Sequence, residues 1–289
     1  MKKMKGIACI ALAAVLGAGL CGCGRSGNGA DNEAKSGFSA GDASISDKVE
    51  NIRIDWTDGE VIFTHHDGKT VDISEEMPEN ADEGSRMCWR MEGTTLYIKY
   101  KDPAFTLVDL GGEKRLTVDL PEDLVLEELE VDSAAADIRG QDIKAGKIMA
   151  DVTSGDMDLG CEAGKLELIS TSGEIKTGCT AGDILITSTS GGVELVQKGE
   201  ANNVSICVTS GDINADMEKF SILDIAGTSS EVKLALPEDS GFTAKIETTG
   251  GEFTSGIPVK MDGDSYIAGD GASKINVSVT SGDVNILAK

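Results

Sequence analysis

Apolar and polar residues alternate through the second half of the chain, and the alternation keeps its phase around a repeated Thr-Ser-Gly step. Apolar side chains stand five and three residues before each threonine and four residues after it, as at Ile148, Ala150 and Met157. A period of two residues is that of a β-strand with one buried face. The pattern therefore predicts a strand, a tight corner and a second strand in every unit.

This unit occurs eight times at nearly constant spacing. The clearest copies begin at Val152, Ser170, Ser188, Val208 and Val279, and degenerate copies begin at Ser133, Gly227 and Thr248. Successive copies start 19, 18, 18, 20, 19, 21 and 31 residues apart, so only the last interval carries a sizeable insertion. One unit cannot bury its own apolar face, whereas units stacked about 4.8 Å apart build a continuous core.

The repeat predicts an all-β fold, a single-stranded β-solenoid (β-helix-like) of 18–21-residue coils with an irregular N-terminal β cap. The alternative is an antiparallel sandwich of hairpins, which has no reason to repeat residue identities at this spacing. The predicted solenoid covers residues 127–289, with an insertion near 256–273 that we expect to fold back over the last coil. The chain stops just after its final strand, so some element must cover that edge.

Residues 49–126 have strand patterns without the period, and they contain both tryptophans, Trp56 and Trp89. Because a solenoid needs bulky residues to close its open end, we predict the cap and the first coils here. The segment from Thr57 to Val61 is interpreted as a worn copy of the corner. The paired histidines, His65 and His66, are predicted to lie in a hairpin turn without a catalytic role.

The first 48 residues predict export and a tether. Three lysines precede an apolar stretch, Ile7 to Leu20, that is short for a membrane span. The stretch ends in Leu20-Cys21-Gly22-Cys23, which resembles a bacterial lipobox. We therefore predict a lipoprotein signal peptide at 1–22, lipidation at Cys23 rather than Cys21, and a flexible tether over 23–48. A secretory signal cleaved without lipidation and an uncleaved anchor are the alternatives.

The net negative charge of the chain limits the classes of partner that it can bind. The chain has 50 acidic and 26 basic residues, a formal charge of −24, and nucleic-acid binders need basic faces. We therefore expect no nucleic-acid partner. The membrane, through the lipid anchor, is a predicted partner, together with an envelope protein or a surface glycan. No zinc, P-loop or dinucleotide motif is present, so no cofactor is predicted.

The Ser-Gly-Asp corners, preceded by Leu116-Thr117-Val118-Asp119-Leu120-Pro121, resemble the DUF4097 family of β-repeat proteins over residues 49–289. Members of this family occur in bacterial envelope proteins and carry an adhesin label. The resemblance implies a β-repeat fold and a surface or envelope role. It carries no catalytic signature to transfer.

An acid stands three residues after the corner threonine in seven of the eight copies. These acids form what we name the corner acidic ladder: Asp137, Asp156, Glu174, Asp212, Glu231, Glu252 and Asp283. Stacked carboxylates suit Ca²⁺, but the glycine-rich nonapeptide calcium repeat is absent. We therefore predict no metal and a structural ladder, in which each carboxylate bonds the free N–H groups of its own corner.

Two cysteines, Cys161 and Cys179, lie 18 residues apart in matching contexts. Stacking in register would bring their Cα atoms to about 4.8 Å, which a disulfide tolerates. A bridge and a pair of buried thiols are both compatible with this spacing.

No residue set predicts catalysis. The chain has no arginine after Arg139, so the coils lack the guanidinium that would hold a uronate carboxylate. No carboxylate pair is singled out for glycoside hydrolysis. We predict that the protein is not an enzyme but an outward-facing envelope lipoprotein with an adhesin-like binding or scaffold domain. The alternatives are an envelope-stress or regulatory module acting through a protein partner and a glycan-active enzyme.

Overall fold

The structure is a computed structural model that describes residues 37–78, 85–100 and 114–289. These residues form nineteen strands joined in one sheet, and they contain no α-helix. The predicted signal peptide, Cys23 and the first part of the tether lie outside the described residues. None of the described residues forms a helix with the length and apolarity that a membrane span needs.

Five long strands make up the regular part of the solenoid. They are β8 (Leu126–Ser154), β9 (Met157–Ser172), β10 (Ile175–Ser190), β11 (Val193–Ser210) and β12 (Ile213–Ser229). Each pairs in parallel with the next, and equivalent residues of the repeat lie side by side, as Ile175 does with Met157 and Val193. The predicted β-solenoid is confirmed, and the antiparallel sandwich is wrong for this region.

The core is built from columns of mostly aliphatic side chains, and each coil adds one residue to each column. Ile148 pairs with Leu166, which pairs with Ile184, and the column continues through Val204 and Leu223. All five side chains are buried. Each contributes about 1.5–3 kcal/mol by leaving water, so stacking supplies the burial that a single coil lacks.

Glycines allow a sharp corner and a close backbone contact in the regular coils. The Ser-Gly corner glycines have φ between 137° and 143°, and a Cβ on Gly173 would lie 2.1 Å from the carbonyl oxygen of Gly155. A second close approach between coils falls at the Ala-Gly steps, where a Cβ on Gly164 would lie 2.7 Å from the carbonyl oxygen of Gly146. This second contact was not predicted, although Ala-Gly recurs at the coil spacing.

The first coil is β3 (Asn51–His66), which pairs in parallel with β8. Gly59 and Glu60 lie beside Ala136 and Asp137, which confirms that the segment from Thr57 to Val61 is a worn corner. Two shorter strands lie parallel to β3 on its other side, β6 (Thr95–Lys99) and β7 (Arg115–Pro121).

Antiparallel strands close the N-terminal end. They are β1 (Ser39–Ala40), β2 (Ala43–Ile45), β4 (Val71–Glu76) and β5 (Cys88–Glu92). Because β7 lies between β3 and β4, the predicted hairpin at His65 and His66 is wrong. Trp56 is buried, with its ring edge-on to Tyr100 at a centroid distance of 5.0 Å.

The C-terminal end departs from chain order. Its strands are β13 (Val232–Leu236), β14 (Phe242–Gly250), β15 (Phe253–Ser255), β16 (Lys260–Asp262), β17 (Ser265–Ala268), β18 (Ser273–Ser281) and β19 (Val284–Ala288). The last two strands insert between earlier ones, because β18 pairs with β12 and β14, and β19 pairs with β13 and β15. The insertion therefore does not cover the chain's final coil, β18–β19; its hairpin, β16–β17, pairs instead with part of β14, in the coil at the end of the stack.

Candidate functional site

The corner acidic ladder is a physical stack along one corner of the rod. Its order follows the strands, so Asp283 lies between Glu231 and Glu252. Glu60 of the worn corner adds a carboxylate beside Asp137. Gly192 interrupts the stack between Glu174 and Asp212. The ladder therefore runs nearly the whole length of the solenoid on its exposed surface.

The aspartates of the ladder link neighbouring coils. Asp137 accepts a hydrogen bond of 2.9 Å from the backbone N–H of Asp156, and Asp156 accepts one of 2.8 Å from that of Glu174. Asp212 and Asp283 make the same contact to the next acid above them, at 3.3 Å and 2.9 Å. The expectation that each carboxylate bonds its own corner is wrong for these four aspartates. Each of their carboxylates accepts its hydrogen bond from a backbone N–H of the adjacent coil.

Glutamates in the ladder contact lysines instead. Glu174 lies 3.1 Å from the Lys176 ammonium, and Glu231 lies 3.1 Å from that of Lys233. Both pairs are exposed, so each contributes little to stability. Most of the carboxylates in the ladder are thus engaged with backbone or lysine. Within the described ranges, no group of three or more His, Cys, Asp or Glu side chains is placed to hold a metal ion.

Cys161 and Cys179 are direct neighbours in adjacent strands, as the spacing predicts. Both side chains are buried and both are free thiols in the structure. Burial raises the pKa of each thiol to about 12, and for Cys161 the adjacent Cys179 adds to the rise. Thiols of this kind are poor nucleophiles near neutral pH. A bridge under oxidising conditions stays the untested alternative.

A second acidic group was missed in the sequence. Asp132 pairs in register with Asp55, and Asp151 is its equivalent one coil further along. Burial, Glu130, Asp151 and Asp55 together raise the pKa of Asp132 to about 6, against the opposing effect of Arg53. Burial also raises the pKa of Asp151. The 19-residue spacing of Asp132 and Asp151 was the available signal.

The N-terminal cap contains a buried ion pair. The Lys114 ammonium lies 3.1 Å from the Glu75 carboxylate, which also accepts a hydrogen bond of 2.7 Å from the backbone N–H of Met87. Lys114 also sits 4.2 Å above the Tyr100 ring. Through Glu75, these contacts join β4 to the segments that contain Met87 and Lys114. No repeat signals this pair, so the sequence pattern could not predict it.

Serine hydroxyls form a second exposed row, next to the acidic ladder. Each pairs in register with the equivalent serine of the adjacent coil: Ser154, Ser172, Ser190, Ser210, Ser229 and Ser281. The spacing between strands sets about 4.8 Å between neighbours. The solenoid therefore presents a rigid, polar and acidic corner to solvent.

Fold and surface define a class: an all-β solenoid with a regular, charged exterior, most of whose ladder carboxylates have a hydrogen-bond or ion-pair partner. The chain belongs to the Toastrack DUF4097 family, whose model matches residues 49–287, and this confirms the resemblance of its corners. No curated protein matches the chain.

Solved structures share the fold. A candidate adhesin from Bacteroides fragilis NCTC 9343 is 16% identical with a TM-score of 0.53, covering 86% of this chain and 97% of its own. A candidate lipid-binding protein from Parabacteroides distasonis ATCC 8503 is 15% identical with a TM-score of 0.54, covering 86% and 96%. A candidate adhesin from Parabacteroides merdae ATCC 43184 is 15% identical with a TM-score of 0.52, also covering 86% and 96%. At these identities the likeness concerns the fold.

Proposed function

We propose that the protein is a cell-envelope lipoprotein, anchored through Cys23 and facing outward, whose solenoid is a non-catalytic binding or scaffold module of adhesin type. The observation that carries this proposal is that carboxylates of the corner acidic ladder act in the structure of the rod, not in chemistry. Aspartates such as Asp156 hold neighbouring coils together through backbone N–H groups. A rod built this way offers a long, fixed surface for contact with a partner.

The chemistry of the other candidate residues supports a non-catalytic role. The thiols of Cys161 and Cys179 are buried with a raised pKa, which suits packing and opposes nucleophilic attack. Two of the solved structures with this fold are described as candidate adhesins. That description agrees with a binding role for this chain.

The anchor is tested by metabolic labelling with a radioactive fatty acid in a bacterial host. Wild type and the matched Cys21→Ser variant should both incorporate label, whereas Cys23→Ser should not. Equal labelling of the Cys21→Ser and Cys23→Ser variants would reject Cys23 as the lipidation site.

The binding role is tested by affinity capture from native envelope with the purified protein, followed by binding to whole cells and matrix glycans. We expect a specific protein or glycan to be retained and released unchanged. Capture of one membrane signalling protein would favour the regulatory alternative. Turnover of any member of a glycan panel would contradict the non-catalytic proposal.

A further inference from the structure

The C-terminal end of the solenoid has a strand edge that is only partly covered. β17 pairs with β14 over Phe242–Ala244 alone. Beyond Ala244, no strand of the described residues pairs with the outer edge of β14, which runs to Gly250. Such an edge is a template for another strand, and short covering elements and charges are the usual protection against pairing.

Backbone direction shows which groups face outward. The Gly241 carbonyl accepts a hydrogen bond from the Ser273 N–H, so it points to β18. Backbone groups of successive strand residues point alternately to the two sides, and the register from Phe242 to Thr248 is uninterrupted. The N–H and C=O groups of Ile246 and Thr248 therefore point away from β18, toward the open edge.

The side chains around this edge define what could lie on it. Ile246 is half-buried on the core side, and so are Phe253 and Tyr266, whose rings are 4.5 Å apart. Glu247 is exposed on the opposite face. An added strand would therefore place alternate apolar side chains over the core and the others beside Glu247.

The acidic residues near this edge favour a basic partner segment. Residues 242–270 contain five acids and two lysines, and one of these lysines, Lys245, lies 3.2 Å from Asp264. This end of the rod is therefore net negative, within a chain of charge −24. Opposite charges facing each other across two strands are favourable, and like charges are not. A second copy of this acidic chain fits the edge less well than a basic segment.

We propose that the edge from Lys245 to Gly250 binds an extended segment of a partner polypeptide by β-strand addition, with apolar and basic residues alternating along that segment. The inference rests on the proposed binding role and names the chemistry of one partner. Main-chain hydrogen bonds from Ile246 and Thr248 supply the affinity, and Glu247 selects for basic side chains.

The test uses the full-length protein in detergent and a labelled peptide, acetyl-Lys-Val-Lys-Val-Lys-Val-Lys-Val-amide. A polycation will associate weakly with any protein of this charge, so the decisive probes remove hydrogen bonds rather than charge. One is the same peptide with alternate backbone nitrogens methylated. Another is Thr248→Pro, which removes an outward N–H, and its matched control is Thr248→Ala, which keeps that N–H.

We expect the peptide to slow amide exchange at 245–250 and Thr248→Pro to weaken its binding about 10-fold, as loss of one to two backbone hydrogen bonds would. Thr248→Ala should stay within about 3-fold of wild type, and an acidic Glu-Val peptide should not bind. Thermal melting checks the fold of each variant. If Thr248→Pro fails to fold, the methylated peptide decides.

Equal affinity for the methylated and unmethylated peptides would overturn the proposal, and so would unchanged exchange at 245–250. A doubled mass in solution that Thr248→Pro abolishes would assign the edge to a second copy and also overturn it. Each of these outcomes is separate from failure of the proposed function, because envelope capture can succeed through another face of the rod.

Discussion

The Asp156 carboxylate accepts a hydrogen bond of 2.8 Å from the backbone N–H of Glu174, and so joins one corner of the solenoid to the next. The contact repeats one coil lower, between Asp137 and the N–H of Asp156. A corner N–H that falls outside the strand pairing needs an acceptor, and the short aspartate side chain of the neighbouring coil supplies it. The conformation of the corner and the stacking of coils are thereby coupled.

Replacing Asp156 by alanine should therefore lower the free energy of unfolding by about 1 kcal/mol, because one corner N–H loses its acceptor. Asp156→Asn should cost less, since an amide oxygen also accepts. Urea unfolding measures both. Glu174→Ala is the matched control, and it should stay within about 0.5 kcal/mol because its carboxylate contacts only exposed Lys176. Equal losses for the two alanine variants would contradict the account.

Gly173→Ala should destabilise the solenoid by at least about 2 kcal/mol, since strain and a steric clash act together. The φ of Gly173 is 137°, and its Cβ would lie 2.1 Å from the Gly155 carbonyl oxygen. Thermal melting measures the effect. Gly178→Ala is the control, because nothing lies within 4 Å of its added Cβ, and its melting temperature should change little. A harmless Gly173→Ala substitution would show that the corner tolerates other residues.

The repeat predicts the solenoid because each copy places apolar residues at the same phase, and parallel stacking is the arrangement that aligns them. It cannot predict the order of the last coils. The copies that contain Glu231, Glu252 and Asp283 have equivalent patterns, so each could stack on any other. In the structure the hairpin β16–β17 pairs with β14, and β18 lies between β12 and β14, an order that the repeat does not encode.

Within the candidate site, the sequence predicts the positions of the ladder but not its partners. Asp156 and Glu174 are equivalent in the repeat, yet one bonds the backbone and the other a lysine. Glutamate is longer than aspartate by one methylene group, and a pattern of acidic positions does not distinguish the two residue types. Glu75 and Lys114 lie outside the repeat altogether, and only the folded cap brings them together.

Asp132 should make the protein more stable at pH 5 than at pH 7.5. Its pKa is about 6 in the folded protein and near 3.8 without the fold, so the folded state binds the proton more tightly. This contribution is lost as the pH rises through 6. Because the side chain is only partly buried and keeps contact with water, solvent reduces the effect. Asp132→Asn should therefore raise the melting temperature at pH 7.5 and change it less at pH 5.

Glu128→Gln is the control of opposite sign. Hydrogen bonding to Lys147 lowers the pKa of Glu128, with a further contribution from Arg53. Its contribution is therefore present near neutral pH and lost as the pH falls below about 4.5. Glu128→Gln should lower the melting temperature at pH 7.5 and do so less at pH 4. The same pH trend in both variants would mean that net charge, not these local contacts, governs the response.

The thiols of Cys161 and Cys179 should resist alkylation while the protein is folded. Both are buried with a pKa of about 12, so the reactive thiolate is scarce and inaccessible. Iodoacetamide labelling in native buffer and in urea, both without reductant, measures this by mass. We expect both residues to be labelled in urea and neither to be labelled in native buffer. Labelling in urea that appears only after reduction would instead establish the disulfide between them.

The order of the last coils can be tested by cross-linking. Ser229 pairs in register with Ser281 in the structure, whereas stacking in chain order would put it beside Gly250. Neighbours in parallel strands are about 4.8 Å apart, within the reach of a disulfide. Under mild oxidation, Ser229→Cys with Ser281→Cys should cross-link, as seen in the proteolytic digest. Ser229→Cys with Gly250→Cys should not, because the inserted strand β18 separates those positions.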